Sequence, residues 1–128
     1  MDLNAASSLP RILVVEDEPL LRTFNADMLS DAGFEVLEAG DADEALRCLE
    51  TMPDIRVVFT DVEMPGLIDG FALAQRIERQ WPAIGVLVTS GRRYPTDAFD
   101  APARVFVPKP FKVAQVVELI EAFVRAWH

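Results

Sequence analysis

The feature that most constrains the fold is a repeated alternation of short apolar runs with amphipathic helical patterns. The runs are rich in β-branched residues, which is typical of strands buried on both faces: Arg11–Val15, Phe34–Ala39, Val57–Thr60, Ile84–Val88 and Val105–Val107. Apolar residues at helical spacing follow four of these runs, with helices starting near Pro19, Asp41, Asp69 and Val113. This order predicts an α/β fold in which a five-stranded parallel sheet is covered by helices on both faces, as in doubly wound proteins.

Two of the helical patterns carry specific expectations. The first helix has an apolar stripe of Leu20, Leu21, Phe24, Met28 and Leu29, and Gly33 is a plausible terminator. The segment 91–103 contains Pro95 and Pro102, so at most a short or irregular fourth helix, near 96–99, is expected there.

Length and charge limit the organisation and the partners. The 128 residues suit one domain, with residues 1–9 as a flexible leader and residues 10–128 as the folded unit. A formal net charge of −9 disfavours direct binding to nucleic acid, which requires a basic surface. There is neither a membrane-spanning apolar stretch nor a signal-peptide pattern, so a cytoplasmic protein without membrane contact is expected.

Polar residues collect at the ends of the predicted strands. Glu16, Asp17 and Glu18 follow the first strand, Asp61 follows the third, and Thr89 and Ser90 follow the fourth. Lys109 follows the fifth strand and lies between two prolines. In an open α/β sheet, ligands bind beyond the carboxyl ends of the strands, so these groups are expected to converge.

This set of groups has a chemical logic. Clustered carboxylates repel one another unless a cation joins them, and hard oxygen ligands suit Mg²⁺. An aspartate beside such an ion can act as a nucleophile toward a phosphoryl group, whose charge a lysine helps to neutralise. Simpler interpretations exist for each residue alone, because acidic residues cap helices, and a threonine or lysine in a loop often faces solvent.

The combination resembles the receiver domain of two-component response regulators. The matching motifs are Ile-Leu-Val-Val-Glu-Asp-Glu-Pro at 12–19, Asp-Val-Glu-Met-Pro-Gly at 61–66, Val-Thr-Ser at 88–90 and Pro-Lys-Pro-Phe at 108–111. The resemblance covers residues 10–127 and implies the strand order 2-1-3-4-5. It also implies a signalling switch that catalyses only its own phosphorylation and dephosphorylation rather than an enzyme acting on separate substrates.

The resemblance assigns roles to individual residues. Asp61 would accept the phosphoryl group, and Lys109 would bind it. Glu16, Asp17, Asp61 and the backbone carbonyl of Glu63 would hold Mg²⁺ or Mn²⁺. Two further residues would form the switch: Thr89 through its hydroxyl, and Phe106 through its ring, although an aromatic residue in a central strand is equally well explained as core.

The resemblance is incomplete at three places. Glu16 stands where aspartate is commoner, the loop between Gly66 and Gly70 is one residue longer than usual, and the fourth helical region is irregular. The last departure leaves the usual output surface in doubt.

The phosphoryl group is expected to come from outside the chain, because His128 is the only histidine. A sensor histidine kinase, a histidine phosphotransfer protein or a small-molecule donor could supply it, to a monomer or weak dimer. Three alternatives stay open: a non-phosphorylated pseudo-receiver used for docking, a receiver excised from a hybrid histidine kinase, and a phosphatase or hydrolase on the same sheet. A phosphatase or hydrolase is disfavoured because the sequence contains no segment that could cover a separate substrate.

Overall fold

A five-stranded parallel sheet forms the centre of the molecule. The computed structural model describes residues 9–93 and 103–126. Its strands are β1 (Arg11–Val15), β2 (Glu35–Ala39), β3 (Ile55–Asp61), β4 (Gly85–Ser90) and β5 (Arg104–Pro108), in the order β2-β1-β3-β4-β5. All four strand pairs are parallel, which confirms the predicted order.

Four helices connect or follow the strands within the described residues. They are α1 (Pro19–Asp31), α2 (Ala42–Thr51), α3 (Gly70–Gln80) and α4 (Val113–Ala126). Residues 1–8 of the predicted leader (1–9) and the possible short helix near 96–99 lie outside the described residues.

Two apolar clusters fill the space between the sheet and the helices. One cluster joins α2 and α3 to one face of the sheet, with Leu73 and Ile77 completely buried. The other joins α1 and α4 to the opposite face, with Phe59 and Ile120 at its centre. Burying a side chain of this size contributes roughly 1.5–3 kcal/mol, so strands apolar on both faces are held at the middle of a three-layer structure.

Helix α2 begins as the sequence predicts. The Asp41 carboxylate accepts a hydrogen bond from the Glu44 N–H at 2.8 Å. The Glu44 carboxylate accepts one from the Gly40 N–H at 2.5 Å, one residue before the position that a regular capping box would use.

Helix α1 departs from its predicted amphipathic pattern. Leu29 is fully buried, but Leu20 is 80% exposed, Leu21 46% and Phe24 58%. These three residues therefore give α1 an apolar surface that faces solvent beside the carboxyl edge of the sheet. Isolated exposed apolar residues are ordinary, whereas several together on one helix often mark a contact surface.

Candidate functional site

The carboxyl ends of β1, β3, β4 and β5 bring most of the predicted site residues to one edge. In the sheet register, Asp61 of β3 is paired with Thr89 of β4. The Lys109 N–H donates to the Ser90 carbonyl at 2.9 Å, which continues the sheet bonding beyond β5. The site therefore rests on sheet hydrogen bonds, which hold its polar side chains in fixed directions.

Three carboxylates converge at this edge. Glu16, Asp17 and Asp61 each have an oxygen within 4.8 Å of the oxygens of the other two. Glu16 is 3% exposed and Asp61 7%, whereas Asp17 is open to solvent. One Glu16 oxygen accepts the Glu18 N–H at 3.0 Å, so the carboxylate is held in place even without a cation.

Glu18 has a different position from its two neighbours. Its carboxylate accepts the Leu21 N–H at 3.0 Å and thereby caps the amino end of α1. The simpler interpretation of strand-end acids as helix caps is thus right for Glu18 but does not explain Glu16 or Asp61.

Burial dominates the electrostatics of the cluster. It raises the pKa of Glu16 to about 7, against the lowering effect of the Glu18 N–H hydrogen bond, while the contributions of Asp61 and Asp17 raise it further and that of Lys109 lowers it. Burial also raises the pKa of Asp61, although Lys109 acts in the opposite direction. A divalent cation would favour the ionised forms of these groups, and carboxylate oxygens are ligands that Mg²⁺ prefers. The residues present therefore fit a Mg²⁺ site.

Lys109 provides a positive charge at the buried aspartate. Its Nζ lies 3.3 Å from Asp61 Oδ1. Pro108 and Pro110 flank it, and the Lys109–Pro110 peptide bond is cis. The contact places an ammonium group where it can neutralise charge that develops on a group bound to Asp61.

Thr89 presents a buried hydroxyl toward the same edge. The residue is 3% exposed, and its Oγ1 has no hydrogen-bond partner among the residues that the structure describes. A buried hydroxyl without a partner is costly, which suggests that a ligand group completes its bonding.

Phe106 is partly buried and packs against the apolar cluster beneath α3. Its ring centroid lies 6.1 Å from that of Phe71, at an interplanar angle of 31°. This packing accounts for Phe106 as a core residue, and its role in a switch stays a prediction.

The loop between β3 and α3 is held close to Asp61. A Cβ atom on Gly70 would overlap the Asp61 carbonyl oxygen and lie 2.7 Å from Val62 Cα, so only glycine fits at this position without a backbone shift. The Gly70 N–H donates to the Val62 carbonyl at 3.0 Å. Leu67, in the same loop, is fully exposed.

The Glu63 side chain reveals contacts that the sequence interpretation missed. Ser90 Oγ donates to Glu63 Oε2 at 2.7 Å, and Arg93 reaches both Glu63 and Asp69. Arg93 lies in the segment 91–103, for which the sequence predicts only an irregular structure, and it belongs to none of the motifs. The role of the Glu63 backbone carbonyl in metal binding stays a prediction.

Comparison with known proteins identifies similar domains. Residues 12–121 match the family model of the response regulator receiver domain. The transcriptional regulatory protein PdtaR of Mycobacterium tuberculosis is 37% identical over 123 residues, which are 92% of this chain and 58% of that protein. Sensor kinase CckA of Brucella abortus is 34% identical over 126 residues, which are 94% of this chain and 13% of that protein. The chain thus spans only part of these relatives.

Solved structures agree with this result. The response regulator protein TrrA of Thermotoga maritima, solved in complex with Mg²⁺-BeF, superposes with a TM-score of 0.79 at 28% identity. The match covers 90% of this chain and 99% of that one. Within residues 9–93 and 103–126, none of the helices has the length and apolar character needed to cross a membrane.

Proposed function

Because the chain belongs to the response regulator receiver domain family, we propose that it is a phosphorylation-dependent signalling switch with Asp61 as its acceptor. The observation that carries this proposal is the position of Asp61, which lies among the Glu16 and Asp17 carboxylates with Lys109 Nζ 3.3 Å from its Oδ1. That arrangement supports transfer of a phosphoryl group to Asp61 rather than hydrolysis of a separate substrate.

In the proposed reaction, an ionised Asp61 oxygen forms a bond to phosphorus. The bond from phosphorus to the donor's leaving atom, an imidazole nitrogen or an acyl oxygen, breaks, and the bonding electrons stay with that atom. Lys109 neutralises charge on the phosphoryl oxygens during the transfer. The lysine charge also opposes the raised pKa of Asp61 and so favours the ionised form that must attack.

The metal would be held by Glu16, Asp17, Asp61 and the Glu63 backbone carbonyl. When bound, Mg²⁺ supplies positive charge to the transferring phosphoryl group, and Mn²⁺ is expected to substitute because it prefers similar oxygen ligands. Thr89, whose hydroxyl has no hydrogen-bond partner among the described residues, would donate to a phosphoryl oxygen, which would draw the end of β4 toward Asp61 and change the surface that follows it.

The donor is proposed to be a histidine kinase or a histidine phosphotransfer protein. A groove of about 500 Å³ begins beside Glu16 and Lys109 and is lined mainly by apolar atoms, including those of Leu21, Phe24 and Phe111. A partner helix with an apolar face could dock there and carry its phosphohistidine to Asp61. Asp61 is only 7% exposed, so the donor atom has to reach it through the small part of the side chain that solvent contacts.

The test is phosphorylation by acetyl phosphate in the presence of Mg²⁺, measured by intact mass. The parent chain and Asp54→Asn should each gain one phosphoryl group, whereas Asp61→Asn should gain none. Asp54 is the matched control because it is an exposed aspartate with no ion pair among the described residues. Equal modification of Asp61→Asn would show that another residue is the acceptor.

A parent chain that binds no Mg²⁺ and gains no phosphoryl group would instead favour the docking-module alternative. If the parent chain is phosphorylated, a transfer profile against purified kinases identifies the donor, including whether it is a hybrid kinase.

A further inference from the structure

Arg93 connects the end of β4 to both ends of the loop between β3 and α3. Its guanidinium Nη2 lies 2.8 Å from Asp69 Oδ2, and its Nε lies 3.5 Å from Glu63 Oε2. The guanidinium carbon lies 5.9 Å from the centroid of the Phe71 ring. A single side chain thus contacts the loop near its start, at the cap of α3 and on the first turn of that helix.

Ser90 contacts both the Arg93 backbone and the Glu63 side chain. Its hydroxyl accepts hydrogen bonds from the Arg92 and Arg93 N–H groups at 3.1 and 3.0 Å and donates to Glu63 Oε2 at 2.7 Å. Ser90 is completely buried, and the three hydrogen bonds of its hydroxyl are partly buried. The Glu63 carboxylate is therefore held between a buried hydroxyl and a guanidinium group.

The direction of the Glu63 side chain matters for Asp61, which is two residues away. Burial is the largest cause that raises the pKa of Asp61, and the negative charge of Glu63 raises it further. Glu63 is thus a fourth carboxylate near a cluster that already holds three. Without the Arg93 charge, the Glu63 carboxylate would be an unneutralised negative charge two residues from the acceptor, where it would repel an anionic phosphodonor.

We propose that Arg93 is a positioning residue for phosphorylation, which holds the Glu63 carboxylate against Ser90 and neutralises its charge beside the acceptor. This inference rests on the proposed function of Asp61. Arg93 does not contact the reacting atoms, and it acts through the direction and charge of Glu63. Since Ser90 directly follows Thr89, the same contacts also connect the loop to the strand end that the switch would move.

The test is a double-mutant cycle in the rate of phosphorylation by acetyl phosphate, with parent, Arg93→Gln, Glu63→Gln and the double variant. We expect Arg93→Gln to slow phosphorylation by about threefold to tenfold at low salt, because an unpaired carboxylate then repels the anionic donor. In the Glu63→Gln background, the same arginine change should alter the rate by less than about twofold, since the repelling charge is gone.

Three comparisons separate positioning from a structural role. Arg92→Gln removes the same charge from an adjacent exposed residue that has no ion pair among residues 9–93 and 103–126, so it should behave like the parent. Arg93→Lys keeps the charge and should restore part of the rate. The penalty of Arg93→Gln should also shrink as ionic strength rises from about 0.02 to 0.5 M, because salt screens the repulsion.

The possible results have distinct meanings. Phosphorylation of Arg93→Gln at the rate of Arg92→Gln would overturn the inference while leaving Asp61 as the acceptor. An equal effect of the arginine change with and without the Glu63 carboxylate would overturn it as well, because the action would not pass through Glu63. A parent chain that is never phosphorylated would instead refute the proposed function, and the role of Arg93 with it.

Discussion

Replacing Glu16 by glutamine measures how strongly this buried carboxylate needs a cation. Burial raises its pKa from an ordinary 4.5 to about 7, so the folded protein binds a proton that the unfolded chain has lost. The resulting stability is fully present below pH 4.5 and is lost as the pH rises through about 7. At about 1.4 kcal/mol per pH unit, this interval corresponds to roughly 3 kcal/mol.

Glutamine keeps an oxygen for the Glu18 N–H and removes the charge. In a metal-free buffer, Glu16→Gln should therefore gain stability relative to the parent as the pH rises. The difference between their free energies of unfolding should shift by about 2–3 kcal/mol in favour of the variant from pH 5 to pH 8. Urea unfolding at both pH values gives this difference directly. Glu50→Gln is the control, because Glu50 is an exposed carboxylate on α2 and should give curves parallel to the parent's.

Addition of Mg²⁺ provides the second part of the same experiment. The cation should stabilise the parent at pH 8 more than it stabilises Glu16→Gln, since only the parent has an ionised carboxylate at this position. If the parent and Glu16→Gln show the same pH dependence without metal, Glu16 is not a desolvated carboxylate in the folded protein, and the argument that a cation stabilises its ionised form loses its main support.

Further substitutions test the surroundings of the site. Gly70→Ala should lower the free energy of unfolding by more than about 2 kcal/mol, measured by urea unfolding, because the new methyl group overlaps the Asp61 carbonyl. Thr89→Val should leave the stability of the unphosphorylated protein unchanged within about 1 kcal/mol, because its hydroxyl has no described partner, yet it should abolish beryllofluoride-induced amide shifts in β4. Asp41→Ala should lower the free energy of unfolding by about 1 kcal/mol in the same urea assay, since it removes the cap of α2.

The sheet could be predicted because its three inner strands are buried on both faces. In β3, residues 57–59 are apolar and at most 1% exposed, so the strand is visible in the sequence as a short continuous apolar run. The strand order followed from the family resemblance rather than from the runs themselves. Helix α1 was harder, because helical spacing shows that Leu20, Leu21 and Phe24 share a surface without showing whether that surface meets the core or solvent.

The convergence of Glu16, Asp17, Asp61 and Lys109 was also predictable. It follows from the rule that the carboxyl ends of parallel strands meet at one edge, and the structure brings these side chains together. Their individual contacts did not follow from that rule. Three acidic residues in a row look equivalent in sequence, yet the start of α1 uses the third, Glu18, as a cap and leaves the first two at the site.

Arg93 shows why the remaining contacts escaped prediction. Its partners Glu63 and Asp69 are 30 and 24 positions away in the chain, and no periodic pattern relates an arginine after one strand to a loop after another. Pairs of this kind depend on the path of the loop, along which Gly70 lies against the Asp61 carbonyl and Leu67 is exposed. The contacts made by Glu63 and Asp69 in this loop come from Ser90 and Arg93 at the neighbouring strand end. The reactivity of the acceptor would then depend on how the loop is held as well as on the residues that contact the phosphoryl group.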